Sequence, residues 1–188
     1  MKKNDAENIV AHKLELNKIG CAIVPGSTKE YAKCFAVYYQ AEKYLETGEF
    51  NSMLVGHGAV LVDRVTENIF KTGSAFPTSK YVEAFERSGD PYAERSEALS
   101  ILQCSKREDS VSAIKYIHTK LNIGLAQSKQ YIDTVMEGKS VQINCNDNLT
   151  AQEVCEYLNN HGFIAKQLWK SSANKSLQAT PKSGAPEL

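Results

Sequence analysis

Apolar residues at Ala6, Ile9, Val10 and Leu14 recur at helical spacing between Asn4 and Lys18, with Asn4 or Asp5 placed to cap the start and Gly20 just past the end. The period then changes. Cys21-Ala22-Ile23-Val24 is a short apolar run stopped by Pro25-Gly26, and Lys33-Cys34-Phe35-Ala36-Val37-Tyr38-Tyr39 is rich in β-branched and aromatic residues, so each predicts a strand. One or two helical turns follow over Gln40 to Leu45, closed by Gly48. Ala59 to Asp63 and Asn68 to Thr72 predict two strands four residues apart, close enough for a hairpin, with Asn68 expected to take a left-handed turn conformation. Pro77-Thr78 introduces a helix over Ser79 to Arg87, with Tyr81, Val82, Ala84 and Phe85 toward the core and Glu83, Glu86 and Arg87 toward water. Helix, strands and helix together predict an α+β unit, an antiparallel sheet with helices on one face.

Ser88-Gly89-Asp90-Pro91 breaks that helix, and Tyr92 to Arg95 reads as a linker. A second pattern then begins. Leu99 and Ile101 alternate with Ser100 in a strand over Glu97 to Gln103. Asp109 or Ser110 caps a helix bearing Val111, Ile114, Ile117 and Leu121, Gly124 interrupts, and a second helix carries Leu125, Ile132, Val135 and Met136. Val141, Ile143 and Cys145 alternate as a strand; Thr150-Ala151-Gln152-Glu153 reads as a capping box for a helix that ends at Gly162, and Phe163 to Leu168 closes as a strand. The order is β-α-α-β-α-β. Beyond Lys170 apolar residues nearly vanish, which predicts a flexible tail. The expected organisation is therefore two small α+β domains, 1–92 and 96–169, then a tail over 170–188.

Composition narrows the class. The 188 residues carry 22 Lys+Arg against 22 Asp+Glu, a net charge of zero, which argues against a dedicated nucleic-acid binder. No eighteen-residue apolar run exists, so no membrane span is expected, and Asp5 and Glu7 stand where a secretory signal needs an apolar stretch. Five scattered cysteines without a C-x-x-C pair fit a reduced, cytoplasmic protein. His12, His57, His118 and His161 lack metal-ligand spacing, and Gly56-His57-Gly58 leads into a strand rather than a phosphate-binding helix. No catalytic set, metal site or cofactor is expected. Charge is more suggestive: Glu42, Glu46 and Glu49 face Lys43 alone, and Glu83, Glu86 and Asp90 fall in a second acidic stretch. Such stretches are either plain solvated faces or a surface that draws a basic partner.

Two resemblances add to this reading. Tyr44-Leu45-Glu46-Thr47-Gly48, Leu54-Val55-Gly56-His57-Gly58-Ala59-Val60-Leu61-Val62-Asp63-Arg64 and Gly73-Ser74-Ala75-Phe76-Pro77 with Tyr81 resemble the immunity protein 35 family of bacterial polymorphic toxin systems. That resemblance implies a protein of interbacterial competition that neutralises a cognate toxin by steric blocking, for instance a nuclease or other enzyme with a basic cleft. Its candidate contacts are Glu42, Glu46, Glu49, Asp63, Glu83, Glu86 and Asp90. The second half, through Ala113-Ile114-Lys115-Tyr116-Ile117 and Asn122-Ile123-Gly124-Leu125-Ala126-Gln127-Ser128-Lys129-Gln130-Tyr131-Ile132-Asp133, resembles the C-terminal domain of the bacterial ribosomal stalk protein. This implies the same element order and, as the alternative function, a translation-factor adaptor docking through Ile114, Lys115 and Lys129. A chaperone-like stress protein is the further alternative.

Overall fold

A computed structural model describes residues 1–105 and 109–171. The expected tail, past Lys170 and Ser171, lies outside the described residues. The chain divides into two compact units, Met1–Ala93 and Glu94–Lys170. Each is mixed α+β with antiparallel pairing throughout.

In unit 1, helix α1 spans Lys3–Lys13, shorter than the pattern predicts. Asp5 does not cap it from outside; its carboxylate sits inside the first turn and accepts the Lys2 backbone N–H at 2.7 Å. At Glu15 the backbone turns left-handed (φ 49°), and a 3-10 turn, Leu16–Ile19, carries Leu16 into the core. Strands β1 (Cys21–Ile23) and β4 (Tyr39–Ala41) form a two-stranded ribbon, while β2 (Lys29–Glu30), β3 (Cys34–Val37), β5 (His57–Asp63) and β6 (Ile69–Gly73) form a four-stranded sheet in the order β2-β3-β5-β6. The run expected as one strand, Lys33 to Tyr39, is thus divided at Tyr38 between two sheets. Between β4 and β5 lies helix α2 (Glu42–Thr47), and helix α3 (Thr78–Ser88) follows β6.

The sheet is covered on both faces, which corrects the expected one-sided arrangement. Phe35, Val37, Val60 and Val62 pack with Ala6 and Val10 of α1 and with Leu16 and Cys21. The alternate residues Cys34, Ala36, Ala59 and Leu61 pack with Tyr81, Val82 and Phe85 of α3. Because successive strand side chains point to opposite faces, an uninterrupted apolar run such as Cys34–Val37 is stable only when both faces are roofed. Each large side chain buried in this way contributes roughly 1.5–3 kcal/mol.

The β5–β6 hairpin turns at Arg64 to Asn68. Its left-handed residue is Glu67 (φ 59°), not Asn68. The Asp63 carboxylate makes this tolerable by organising the turn: it accepts the Val65 N–H at 2.8 Å and the Thr66 hydroxyl at 2.7 Å. Lys13 adds a hydrogen bond of 2.6 Å from its ammonium to the Glu67 carbonyl. At the open end of the hairpin a glycine is required. A Cβ at Gly58 would stand 2.5 Å from both the Gly73 carbonyl oxygen and the Thr72 hydroxyl, beside the register shift between His57 and Val60.

Unit 2 follows the expected element order. Strand β7 (Glu94–Cys104) is central in a three-stranded sheet, flanked by β8 (Val141–Asn144) and β9 (Phe163–Lys170). Glu94 and Arg95, expected in a linker, belong to β7. Helices α4 (Ser110–Leu121), α5 (Leu125–Met136) and α6 (Asn148–Asn160) bury Ile117, Ile132, Val154 and Leu158 against Leu99, Ile101, Ile143 and Phe163 in one core. The cap of α6 is Asp147 rather than Thr150. The Asp147 carboxylate accepts the Thr150 N–H at 2.7 Å and the Thr150 hydroxyl at 2.9 Å, so the threonine lies within the first turn. Tyr116, Tyr157 and His161 stack in series across α4 and α6, with ring centroids 3.6 Å and 3.9 Å apart.

Candidate functional site

Residues 42–56 run from the end of β4 in the ribbon to the start of β5 in the four-stranded sheet without burying one of their side chains. Helix α2 and the 3-10 turn Phe50–Ser52 both lie in this excursion, and neither has a buried residue. The excursion is nevertheless fixed in place. The Gln40 side-chain amide donates to the Leu54 carbonyl at 3.0 Å and accepts the Leu54 N–H at 2.5 Å, a two-point clamp that stands in for a missing strand pair. Gly48 ends α2 in the left-handed conformation (φ 69°), and the Thr47 hydroxyl accepts the Glu49 N–H at 3.2 Å. His57, packed on Tyr39 at 4.7 Å, has its Nε2 2.9 Å from the Tyr39 carbonyl oxygen, so Nε2 donates and Nδ1 is the acceptor left buried without a partner.

What this excursion offers to solvent is both apolar and acidic. Phe50 is 75% exposed and Val55 70% exposed, with Leu45 and Leu54 also open. The same segment carries Glu42, Glu46 and Glu49, all exposed; among the described residues only Glu49 of the three has a basic partner, Lys43 at 3.2 Å. The chain enters β5 and leaves β6 at the same end of the hairpin, where His57 is paired with Gly73, so the loop leading to Phe76 lies at this end too. Phe76 is occupied in a different way: the Lys80 ammonium sits 3.3 Å from its ring centroid.

The remaining acidic candidates lie elsewhere. Asp63 is at the hairpin turn, the opposite end of β5. Burial works to raise its carboxyl, but hydrogen bonds from the Val65 N–H and from the Thr66 hydroxyl and N–H outweigh burial and hold it below the usual aspartate range. Glu86 is also engaged, accepting the Ala32 N–H at 2.9 Å, and Glu83 is half-buried beside it on α3, against the expectation that both face water. Asp90 accepts the Tyr92 N–H at 2.8 Å just after α3. The structure therefore brings Glu42, Glu46 and Glu49 together and separates them from Asp63, Glu83 and Glu86.

In unit 2, Ile114 is partly buried against the core, Lys115 is exposed on α4, and Lys129 on α5 is paired with Asp133 one turn on. Among the described residues no three His, Cys, Asp or Glu side chains gather as a metal site requires. Sequence reasoning missed Phe50, Val55 and the Gln40 clamp. Glutamine carries no pattern that announces a backbone clamp, and Phe50-Asn51-Ser52-Met53-Leu54-Val55 has neither a helical nor a strand period to place its apolar residues.

With this geometry in view, comparison with known proteins is informative for one unit. Residues 4–88 match the immunity protein 35 family. The matched stretch runs from α1 into the last turn of α3 and takes in the whole 42–56 excursion. No curated protein and no solved structure matches the chain. The family match does not extend to unit 2. Among the described residues, no helix is long and apolar enough to cross a membrane.

Proposed function

We propose that this protein is a bacterial immunity protein that binds a cognate toxin domain and neutralises it by covering its active site. The observation that carries the reading is the family match over residues 4–88, which spans nearly all of unit 1. The site chemistry supports it. A fixed, exposed apolar segment with three carboxylates suits recognition of another protein, because desolvated apolar contacts supply affinity while charge steers encounter. A standard interface of about 1,600 Å² in total is ample to occlude a catalytic cleft. The protein would act in the cytoplasm, where a producing cell meets its own toxin, by occupancy and not by making or breaking bonds. The acidic character suits a nuclease or another enzyme with a basic cleft.

The test is co-expression with the toxin encoded by the neighbouring gene. Cells carrying both are expected to survive as well as cells without the toxin; killing that persists at full expression of this chain contradicts the reading. A second reading, docking of a translation factor on α4 and α5 through Ile114, Lys115 and Lys129, rests on the β-α-α-β-α-β order of unit 2. Retention of elongation factors on the immobilised protein, lost on Lys115→Glu, would favour it.

A further inference from the structure

We infer that the 42–56 excursion is the surface on which the toxin sits, with Phe50 and Val55 as its anchors. This rests on the proposed function and specifies the partner's chemistry: an apolar recess rimmed by Lys and Arg. The segment carries an energetic imbalance. Ordering fifteen residues costs roughly 1–2 kcal/mol per residue in backbone entropy, and segments ordinarily offset this by burying their own side chains. Here none of residues 42–56 is buried. Tyr44 and Met53 are half-buried, and polar links add to the order: the Gln40 amide on both backbone groups of Leu54, the Thr47 hydroxyl on the Glu49 N–H, and Lys43 on Glu49.

Such links fix the backbone while leaving Phe50 and Val55 in water. An apolar surface presented in a fixed conformation loses little further entropy when a partner covers it. Exposure alone does not single these residues out, since Val65 at the hairpin tip is 88% exposed. Charge does. Within the 42–56 segment that carries Phe50 and Val55, three carboxylates stand against one lysine already paired with Glu49. The like charges at Glu42 and Glu46, one turn apart on α2 and without a basic partner among the described residues, are mildly unfavourable until a cation meets them. A basic rim on the partner relieves that repulsion and contributes to the rate of encounter. Phe76, at the same end of the sheet, is 50% exposed but has the Lys80 ammonium 3.3 Å from its ring centroid, so it is not counted among the anchors.

The experiment uses the full chain and an inactive form of the toxin domain encoded by the neighbouring gene, immobilised for binding kinetics. Phe50→Ala combined with Val55→Ala is expected to weaken binding at least about hundredfold, with an unchanged melting temperature. Val65→Ala is expected to bind as the parent does. Glu42→Lys with Glu46→Lys is expected to slow association about tenfold at low salt and to abolish its salt dependence. A double alanine variant that binds like a tightly binding parent overturns the surface and leaves the proposed function standing; a parent that neither binds nor protects overturns both. A melting temperature lowered by the double alanine variant overturns the surface as well, since the side chains would then be structural. So does a parent dimer that the variant dissolves, because the occupant would then be a second copy.

Discussion

In unit 1 the central strands β3 and β5 are buried on both faces, with α1 over one and α3 over the other. In unit 2 three helices share a single core on one face of the sheet, and on the other face Leu102 and Ile164 remain open. The two units use the same antiparallel pairing, so pairing does not decide the layering. The side-chain pattern does. Cys34–Val37 and Ala59–Val62 are unbroken apolar runs, whereas Val141-Gln142-Ile143-Asn144 alternates. A run needs two roofs and an alternating strand needs one. Unit 1 thereby spends α1 and α3 on its sheet, and its ordered but uncovered surface is left to the excursion between β4 and β5, which holds α2.

The sharpest way to break this comparison is to remove one core side chain from each face. Phe35→Ala, on the α1 side, and Phe85→Ala, on the α3 side, are each expected to cost about 3–5 kcal/mol in urea denaturation. The outward-facing Ile164→Ala in unit 2 is expected to cost less than about 1 kcal/mol. A Phe85→Ala cost as small as that of Ile164→Ala would mean that α3 does not roof a true core. Next in size, Gly58→Ala drives a methyl into the Gly73 carbonyl and the Thr72 hydroxyl, whose hydrogen bond to the Ala59 carbonyl is 2.6 Å. A loss of about 1–3 kcal/mol is expected, with disturbed chemical shifts at the open end of the hairpin. The thiols sharpen the contrast in chemistry. Burial, then the neighbouring Glu86 and Asp63 charges, pushes the Cys34 thiol up to about 12, and burial with Asp147 pushes Cys145 up to about 11. Both are expected to resist alkylation at neutral pH in the native protein and to react once urea unfolds it.

The smallest effect concerns α6. The Thr150 N–H, followed by its hydroxyl, holds the Asp147 carboxyl below the ordinary aspartate value. A group lowered on folding stabilises the native state fully above the ordinary value of about 4, and that contribution is lost as the pH falls through the depressed native value. Asp147→Ala is therefore expected to lower stability at neutral pH, with a gap from the parent that closes on acidification. A gap independent of pH would contradict the cap.

Much of this architecture was legible in the residues. Tyr81, Val82, Ala84 and Phe85 stand on the buried side of α3 as their spacing predicts, and the six elements of unit 2 fall in the predicted order. What was not legible depends on long-range partners. The division of the strand at Tyr38 follows from the pairing of β4 with β1, a partner that local composition does not name. The true cap of α6 was hidden because Asp147 and Thr150 both suit a helix start, and only the backbone distinguishes them. For the site, the acidic residues were visible as charges, but their separation between the two ends of β5 is a property of the hairpin. Phe50 and Val55 became candidates only when the structure left them uncovered.

The most direct test of action by occupancy is a titration of the purified toxin's own activity with this protein. The expected result is a linear fall to zero at one equivalent, with the pair eluting as a single complex and the protein recovered chemically unchanged. Full toxin activity in the presence of a large excess, or inhibition that requires catalytic turnover by this chain at far below one equivalent, would contradict it.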